Sequence, residues 1–388
     1  MTTVHARPHP GADGQPPGRA AAGASTQAIM RPATGRRPVV AALVPAWNEE
    51  KFIAATIDGL GSQTRPPDLI VVIANNCTDD TAAAARAAGA EVIEMPHNPD
   101  RKGGALNYGI ETLLPSLDDK DRIFVMDADT VVVPRWFELA GTAMDADPDG
   151  RTVVSGRYAC KAEHGLIGMM QRNEFCRETR RIDRRRDRTH IMVGTATMLP
   201  VALLREVIAA RAAGTLPPGY VYSYESLTED YELTLAAKTL GWKTFSPRGC
   251  DAITDVMPNL RKLWHQRVRW WKGGMEDLIR YRLTRVTLGY FWRQSVMGLC
   301  MAVLLLYLGT LAATYIFANG VHWTPWWFAV TIIFAVDRVV EVRRAGPLAM
   351  LVAGLLVFEL AYDIFQETVF VVSAVKAFRG VRTEWAET

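Results

Sequence analysis

Four groups of residues have types and spacings that can do chemistry. Asp127 and Asp129 stand two apart, directly after the apolar run RIFVM. On an extended segment alternate side chains point the same way, so both carboxylates can face one cavity. Such a pair suits Mg²⁺ or Mn²⁺ held against a diphosphate, because hard cations take oxygen ligands and keep places for substrate phosphates. The plainer alternative is a polar exit from a strand. RKGG at 101–104 opens a helical stretch and can lay a cation and free amides beside phosphate, though it also reads as an ordinary solvated helix start. Thr228, Glu229 and Asp230 precede a helical stretch expected at 231–240, where the Asp or the Thr is an N-cap, or Asp230 is a carboxylate held as a general base. In QRVRW at 266–270, Gln266, Arg269 and Trp270 share one helical face at i, i+3 and i+4. A guanidinium pairs with a diphosphate by two hydrogen bonds, and an indole suits the apolar side of a sugar ring. The same segment also fits an amphipathic helix on a membrane surface.

The elements that must position these groups form a pattern. VVAALV at 39–44, LIVVIA at 69–74, the run at 90–94 and RIFVM at 122–126 are strand candidates. Helical stretches from about Glu49, at 81–88 and at 104–114 separate them. Continuous apolar strands spaced by helices predict βαβ units and a mostly parallel α/β sheet buried on both faces. Ligands of such sheets bind beyond the carboxyl ends of the strands. PAWNEE at 45–50, NNCTDD at 75–80 and DAD at 127–129 fall at those ends. There is no GxxxxGK[ST], and no GxGxxG follows the first strand.

The 388 residues carry a net charge of +3, too small a balance to suggest a nucleic-acid binder. Five cysteines without CxxC spacing argue for a reducing compartment rather than a disulfide scaffold. Residues 1–37 are rich in Pro, Gly and Ala and are expected to be a disordered cytoplasmic tail. Apolar runs from 296 onward predict a membrane region over 296–378, with spans at 296–318 and 323–342 and an interfacial belt of Trp323, Trp326 and Trp327. The third apolar segment, 347–378, carries Glu359, Asp363, Gln366 and Glu367 on one face. These either line a sugar path or mark an interfacial helix beneath the globular part, and a bent segment would reconcile them with the basic end at Lys376 and Arg379. Basic residues from Arg261 to Arg285, and Arg338, Arg343 and Arg344 after the second span, place the globular part on the cytoplasmic side. The arginines of 172–188, Arg177 among them, are expected to face solvent or lipid headgroups. The domain reading is thus a catalytic unit at 38–260, an amphipathic segment at 261–295, the membrane region and a tail at 379–388.

The ordered set PAWNEE, NNCTDD, DAD, TED and QRVRW resembles the membrane-bound inverting glycosyltransferases of family 2, the group that includes cellulose, chitin, hyaluronan and poly-N-acetylglucosamine synthases. The resemblance covers 38–271 and the apolar tail in general character. It implies a GT-A fold, a nucleotide-diphosphate sugar (most often a UDP-sugar) and a cell-membrane enzyme with a cytoplasmic catalytic domain. It places Pro45, Ala46, Glu49 and Asn75 around base and ribose, with Lys102 near the nucleotide. Asp127 and Asp129 carry the ribose, diphosphate and metal contacts. Asp230, with Glu229 beside it, deprotonates the acceptor hydroxyl, and Arg269 steadies the leaving diphosphate. Trp270 and Gln266 orient the acceptor, and Gly194 and Thr195 of VGTATMLP lie beside it. Asn75 departs from the family, where Asp is frequent. The expected activity is extension of a β-linked polysaccharide, with membrane lipid as surroundings and subunits pairing to complete a path. The alternatives are addition of one or few sugars to a lipid-linked acceptor, and a catalytically silent membrane scaffold.

Overall fold

A computed structural model describes residues 37–160, 165–317 and 325–381 of the chain. Of the expected tail at 1–37 only Arg37 is among them, as are only 379–381 of the tail at 379–388. The strands are β1 (Val40–Ala46), β2 (Leu69–Asn75), β3 (Glu91–Met95), β4 (Arg122–Met126), β5 (Val131–Val132), β6 (Thr152–Ser155), β7 (Arg157–Cys160), β8 (Ala196–Pro200), β9 (Lys243–Phe245) and β10 (Asp251–Thr254). The helices are α1 (Ile53–Gly61), α2 (Thr81–Ala87), α3 (Arg101–Leu113), α4 (Trp136–Asp145), α5 (Gly165–Arg184), α6 (Val201–Ala212), α7 (Glu229–Thr239) and α8 (Leu260–Tyr281). After them come α9 (Leu288–Phe317), α10 (Pro325–Glu341), α11 (Pro347–Gly354) and α12 (Val357–Phe378).

The main sheet has seven strands in the order β3-β2-β1-β4-β8-β6-β9. β3, β2, β1 and β4 are parallel, as their unbroken apolar runs predict, so Ala46, Asn75 and Met126 end on one edge. β8 runs antiparallel between β4 and β6 and brings Ala196 opposite Met126. Gly194 and Thr195, the residues just before β8, therefore arrive at the edge where Asp127 leaves β4. A small sheet, β5-β10-β7, flanks that edge.

Alternate residues of the same strands feed two cores. Leu43, Val71 and Ile73 pack with Leu106 and Ile110 of α3 on one face. Val44, Val72 and Phe124 pack with Trp136 and Phe137 of α4 on the other. Phe124 touches both rings at centroid distances of 4.5 and 4.6 Å. Gly109 lets α3 lie directly on the sheet, since a Cβ there would stand 2.6 Å from Ile73 and 2.7 Å from Leu43. This close seating fixes the helix whose first turn carries Lys102.

The C-terminal helices meet expectation in part: α9 covers nearly all of the first expected span, α10 is shorter than the second, and the third segment has the bend that would reconcile its charges. α9 spans 30 residues, about 45 Å, is apolar, and none of its most hydrophobic stretch is buried. α10 has 17 residues, about 25 Å, short for an upright span. Trp323 and the side chains of Trp326 and Trp327, the expected belt, lie outside the described residues. The third segment is bent by 76° between α11 and α12, where Leu356 takes the left-handed conformation at φ 58°.

The polar face of α12 packs inward. Glu359 is 1% exposed and meets Arg177 of α5 at 2.7 Å, with Asn173 donating to its other oxygen at 3.2 Å. Asp363 pairs with Arg338 of α10 at 2.6 Å. Arg177 therefore does not face solvent or headgroups as its arginine-rich surroundings suggest, because a buried carboxylate from 182 residues further along the chain reaches it. Aromatic pairs Trp264–Phe365 and Trp271–Phe370 complete the seam between α8 and α12. Glu359→Ala leaves Arg177 buried without its counter-charge and is expected to lower stability by about 3–5 kcal/mol. Thermal melting of the purified protein measures this, and an unchanged midpoint contradicts it.

Candidate active site

The edge where β1, β2 and β4 end becomes a site because three separate segments deliver charge to it. The first turn of α3 extends Lys102. Its Nζ lies 2.6 Å from Asp127 Oδ1 and 3.0 Å from Glu229 Oε1, and donates to the Gly194 carbonyl at 3.3 Å. Asp230 is fixed by two backbone donors, Gly194 N–H at 2.9 Å to Oδ2 and Tyr231 N–H at 2.7 Å to Oδ1. Leu106, Tyr222 and Leu233 are among the side chains that line this cleft.

Both acidic motifs fold differently from expectation. Asp127 directly follows β4, and the chain turns immediately after it. Its carbonyl accepts Thr130 N–H at 3.2 Å, so DAD is a turn, and the turn rather than strand alternation brings Asp129 alongside. α7 begins at Glu229 instead of 231, so Asp230 lies in its first turn and is not the cap; Thr228 takes that place. Carboxylates in a first helical turn are favoured by the helix dipole. The start of α7 is held from outside as well. Thr228 Oγ1 donates to buried Asp277 of α8 at 3.2 Å, and a Cβ on Gly273 would meet that hydroxyl at 2.8 Å.

The electrostatics divide the carboxylates. Burial pulls the Lys102 ammonium down, but Asp127 and Glu229 lift its pKa well above the ordinary value, so it stays charged. Against burial, Lys102 and Arg269 hold Glu229 below its usual value. Burial and the Glu229 charge push Asp230 up to about 6, against the pull of Lys102. Burial, together with Asp129, also leaves Asp127 raised despite Lys102. Two adjacent carboxylates whose environments push them apart suit division between a fixed anion and a proton acceptor.

Asp127, Glu229, Asp230, Lys102 and Gly194 thus converge, and Thr195 joins through its carbonyl, which accepts Asp127 N–H at 3.3 Å. The charge of Arg269 acts on Glu229 and Arg101. Trp270 stacks against the guanidinium of Arg267, 4.3 Å from the ring centre, while Gln266 one turn earlier is half-buried. Pro45, Ala46 and Glu49 stand at the end of β1, and Glu49 N–H is tied to Thr81 Oγ1 at 2.8 Å. Asn75 is buried, and its Oδ1 accepts Asn98 Nδ2 at 2.7 Å. Asn98 also donates to the Arg101 carbonyl at 2.6 Å, linking β2 to the start of α3. Sequence reasoning missed Asn98 and Arg267. The first sits in an unremarkable loop, whereas the second lies inside QRVRW, where its neighbours drew the attention.

Asp127 and Asp129 offer an all-oxygen pair that fits a hard divalent cation sharing phosphate oxygens. Among the described residues no group of three or more His, Cys, Asp or Glu forms a closed metal centre.

Fold and site together define an α/β GT-A-like sugar-transferring enzyme. Residues 37–273 match the family described as "Glycosyltransferase like family 2", and the chain belongs to it. It is similar in fold to the mannosyltransferase PcManGT from Pyrobaculum calidifontis, solved with GDP-Man and Mn²⁺, at 17% identity and a TM-score of 0.55, covering 94% of this chain and 98% of that one. Glucosyl-3-phosphoglycerate synthase from Mycobacterium tuberculosis, solved with Mn²⁺, UDP and phosphoglyceric acid, matches at 19% identity and a TM-score of 0.39, covering 68% and 83%. No curated protein matches the chain in sequence.

Proposed function

We propose that this glycosyltransferase moves a sugar from a nucleotide-diphosphate sugar, a UDP-sugar in the first instance, to an acceptor hydroxyl with inversion at the anomeric carbon. The observation that carries the reading is the convergence of Lys102, Glu229 and Asp230 on one cleft, with Asp127 paired to the same Lys102. The GDP-Man and Mn²⁺ of the Pyrobaculum enzyme agree with a nucleotide-sugar donor and a divalent ion.

Pro45, Ala46, Glu49 and Asn75 bind base and ribose at the strand ends. Asp127 and Asp129 hold Mg²⁺ or Mn²⁺, which when bound supplies Lewis-acid stabilisation of the leaving diphosphate. Lys102 and Arg269 place positive charge beside that diphosphate as the bond to the anomeric carbon breaks. Asp230 takes the proton of the acceptor hydroxyl as its oxygen bonds to the anomeric carbon from the opposite side. Glu229 stays ionised and holds Lys102. Gly194 and Thr195 border the acceptor, and Trp270 with Gln266 orients it. One base and one displacement turn an α-linked donor into a β-linked product.

The chain works at a membrane with the domain at 38–260 in the cytoplasm, the segment 261–295 at the interface and 296–378 in or against lipid. The exposed apolar length of α9 supports this. Extension of a polysaccharide is one outcome. Transfer of one or few sugars to a lipid-linked acceptor is the second, favoured by the helix count, since one helix, or two with the bent pair, is long and apolar enough to cross among the described residues. The test is a panel of UDP- and GDP-sugars with Mg²⁺ or Mn²⁺, using cellotetraose and octyl β-glucoside as acceptor probes. Nucleotide release identifies the donor, and product sizing separates a ladder from a single addition. No release with any donor overturns the enzyme reading.

The pH profile follows from Asp230, whose pKa is raised to about 6. A base works deprotonated, so the rate is full above that value and falls about tenfold per unit below it. Nucleotide release measured from pH 4.5 to 8 is expected to bend near pH 6. A flat profile down to pH 4.5 contradicts the assignment.

A further inference from the structure

The helix that carries Trp270 is packed against α12, which lies outside the family-matched region ending at residue 273. Arg267 of α8 is 2% exposed, and its guanidinium covers one face of the Trp270 indole at 4.3 Å. A cation at that distance orients the ring as well as attracting it. Arg267 itself is steered by Glu174 of α5, whose Oε2 accepts from Arg267 Nη2 at 2.9 Å. The same oxygen accepts from two donors of α12, Tyr362 Oη–H at 2.8 Å and Gln366 Nε2 at 3.2 Å. One carboxylate oxygen thus collects three donors from two helices, and its position sets that of Arg267.

We propose that Tyr362 and Glu174 are positioning residues for sugar transfer: through Arg267 they set the plane of Trp270 against which the acceptor sugar stacks. This rests on the acceptor role given to Trp270 above. With one indole face taken by the guanidinium, the sugar uses the opposite face. A helix seated by buried polar contacts on the catalytic domain thereby becomes part of the acceptor site, which explains why the polar side of α12 faces protein. The helix that sequence reasoning placed in or on the membrane acts on the reaction without touching substrate.

The test uses the full chain in detergent, labelled with 5-fluorotryptophan. The Trp270 resonance is identified by its loss in Trp270→Phe. Tyr362→Phe removes one hydroxyl and keeps the ring, and it is expected to shift the Trp270 resonance while those of core Trp136 and Trp242 stay in place. Movement of the core resonances reports misfolding, and Glu174→Gln then serves as the second variant by the same criterion. With the donor and acceptor probe selected by the panel, Tyr362→Phe is expected to raise the acceptor KM about tenfold, leave the donor KM unchanged, and add nothing further in a Trp270→Ala background. An unmoved Trp270 resonance in both variants, or effects that simply add, overturns the proposal. Should Trp270→Ala leave the acceptor KM unchanged while the resonance still shifts in Tyr362→Phe, the stacking role of Trp270 falls and the link from Tyr362 to Trp270 stands.

Discussion

Asp230→Asn is expected to abolish sugar transfer while nucleotide binding survives. The carboxylate is the group in the cleft whose pKa, raised to about 6 by burial and by Glu229, lets it accept a proton near neutrality. An amide of the same shape cannot accept that proton. A positioned base contributes roughly 10²–10⁴-fold, so the turnover rate should fall by that factor. The substitution also leaves one of the two backbone donors, Gly194 N–H or Tyr231 N–H, facing an amide NH₂. That costs about 1–3 kcal/mol locally, which a helix start anchored by Asp277 can absorb. Titration calorimetry with UDP and Mn²⁺ checks the binding arm, and nucleotide release with acceptor checks the chemical arm. Loss of UDP binding would mean that Asp230 holds the donor and is not the base.

Asp127→Asn is expected to remove the response of donor binding to the divalent ion. Asp127 is the first carboxylate beyond β4, beside Asp129, and its Oδ1 is the nearer of the two carboxylate partners of Lys102. Neutralising it takes one of two anionic ligands from the cation and leaves Lys102 paired with Glu229 alone. Electrostatic stabilisation of a leaving diphosphate by a metal contributes several kcal/mol, and removal of one preorganised charge-stabilising group costs about 10²–10³-fold in rate. UDP binding measured with and without Mn²⁺ should therefore show a large difference in the native protein and nearly none in the variant. A retained Mn²⁺ effect would remove Asp127 from the metal site. Because Asp230 is untouched, the acid limb of the pH profile should persist in whatever activity remains.

Much of the site was legible along the chain because its chemistry sits at strand ends, and strand ends follow from local pattern. RIFVM at 122–126 is an apolar strand by composition, and it coincides with β4 to the residue. The parallel half of the sheet follows from the same continuous runs. Short strands were not legible: β5 has two residues and β9 three, below what periodicity can register. They form only because neighbours already in place offer them hydrogen-bond partners. The geometry of DAD misled for a related reason, since the Thr130-to-Asp127 hydrogen bond that closes the turn leaves no trace in an alternation of residue types.

Residue type and order alone determined that a closely spaced carboxylate pair, a candidate base and an arginine–tryptophan helix exist in one α/β chain with an apolar C-terminal part. Local propensity and hydrophobic period act over a few residues, and each of these features is a few residues long. The tertiary structure alone decided that Lys102 joins Asp127 to Glu229 across 102 positions of sequence number, that Gly194 holds Asp230, and that α12 turns Glu359 onto Arg177 and the donors Tyr362 and Gln366 onto Glu174. Desolvated charges must find partners wherever the fold brings them, because an unpaired buried charge costs several kcal/mol, and which partner arrives is set by strand order and helix packing.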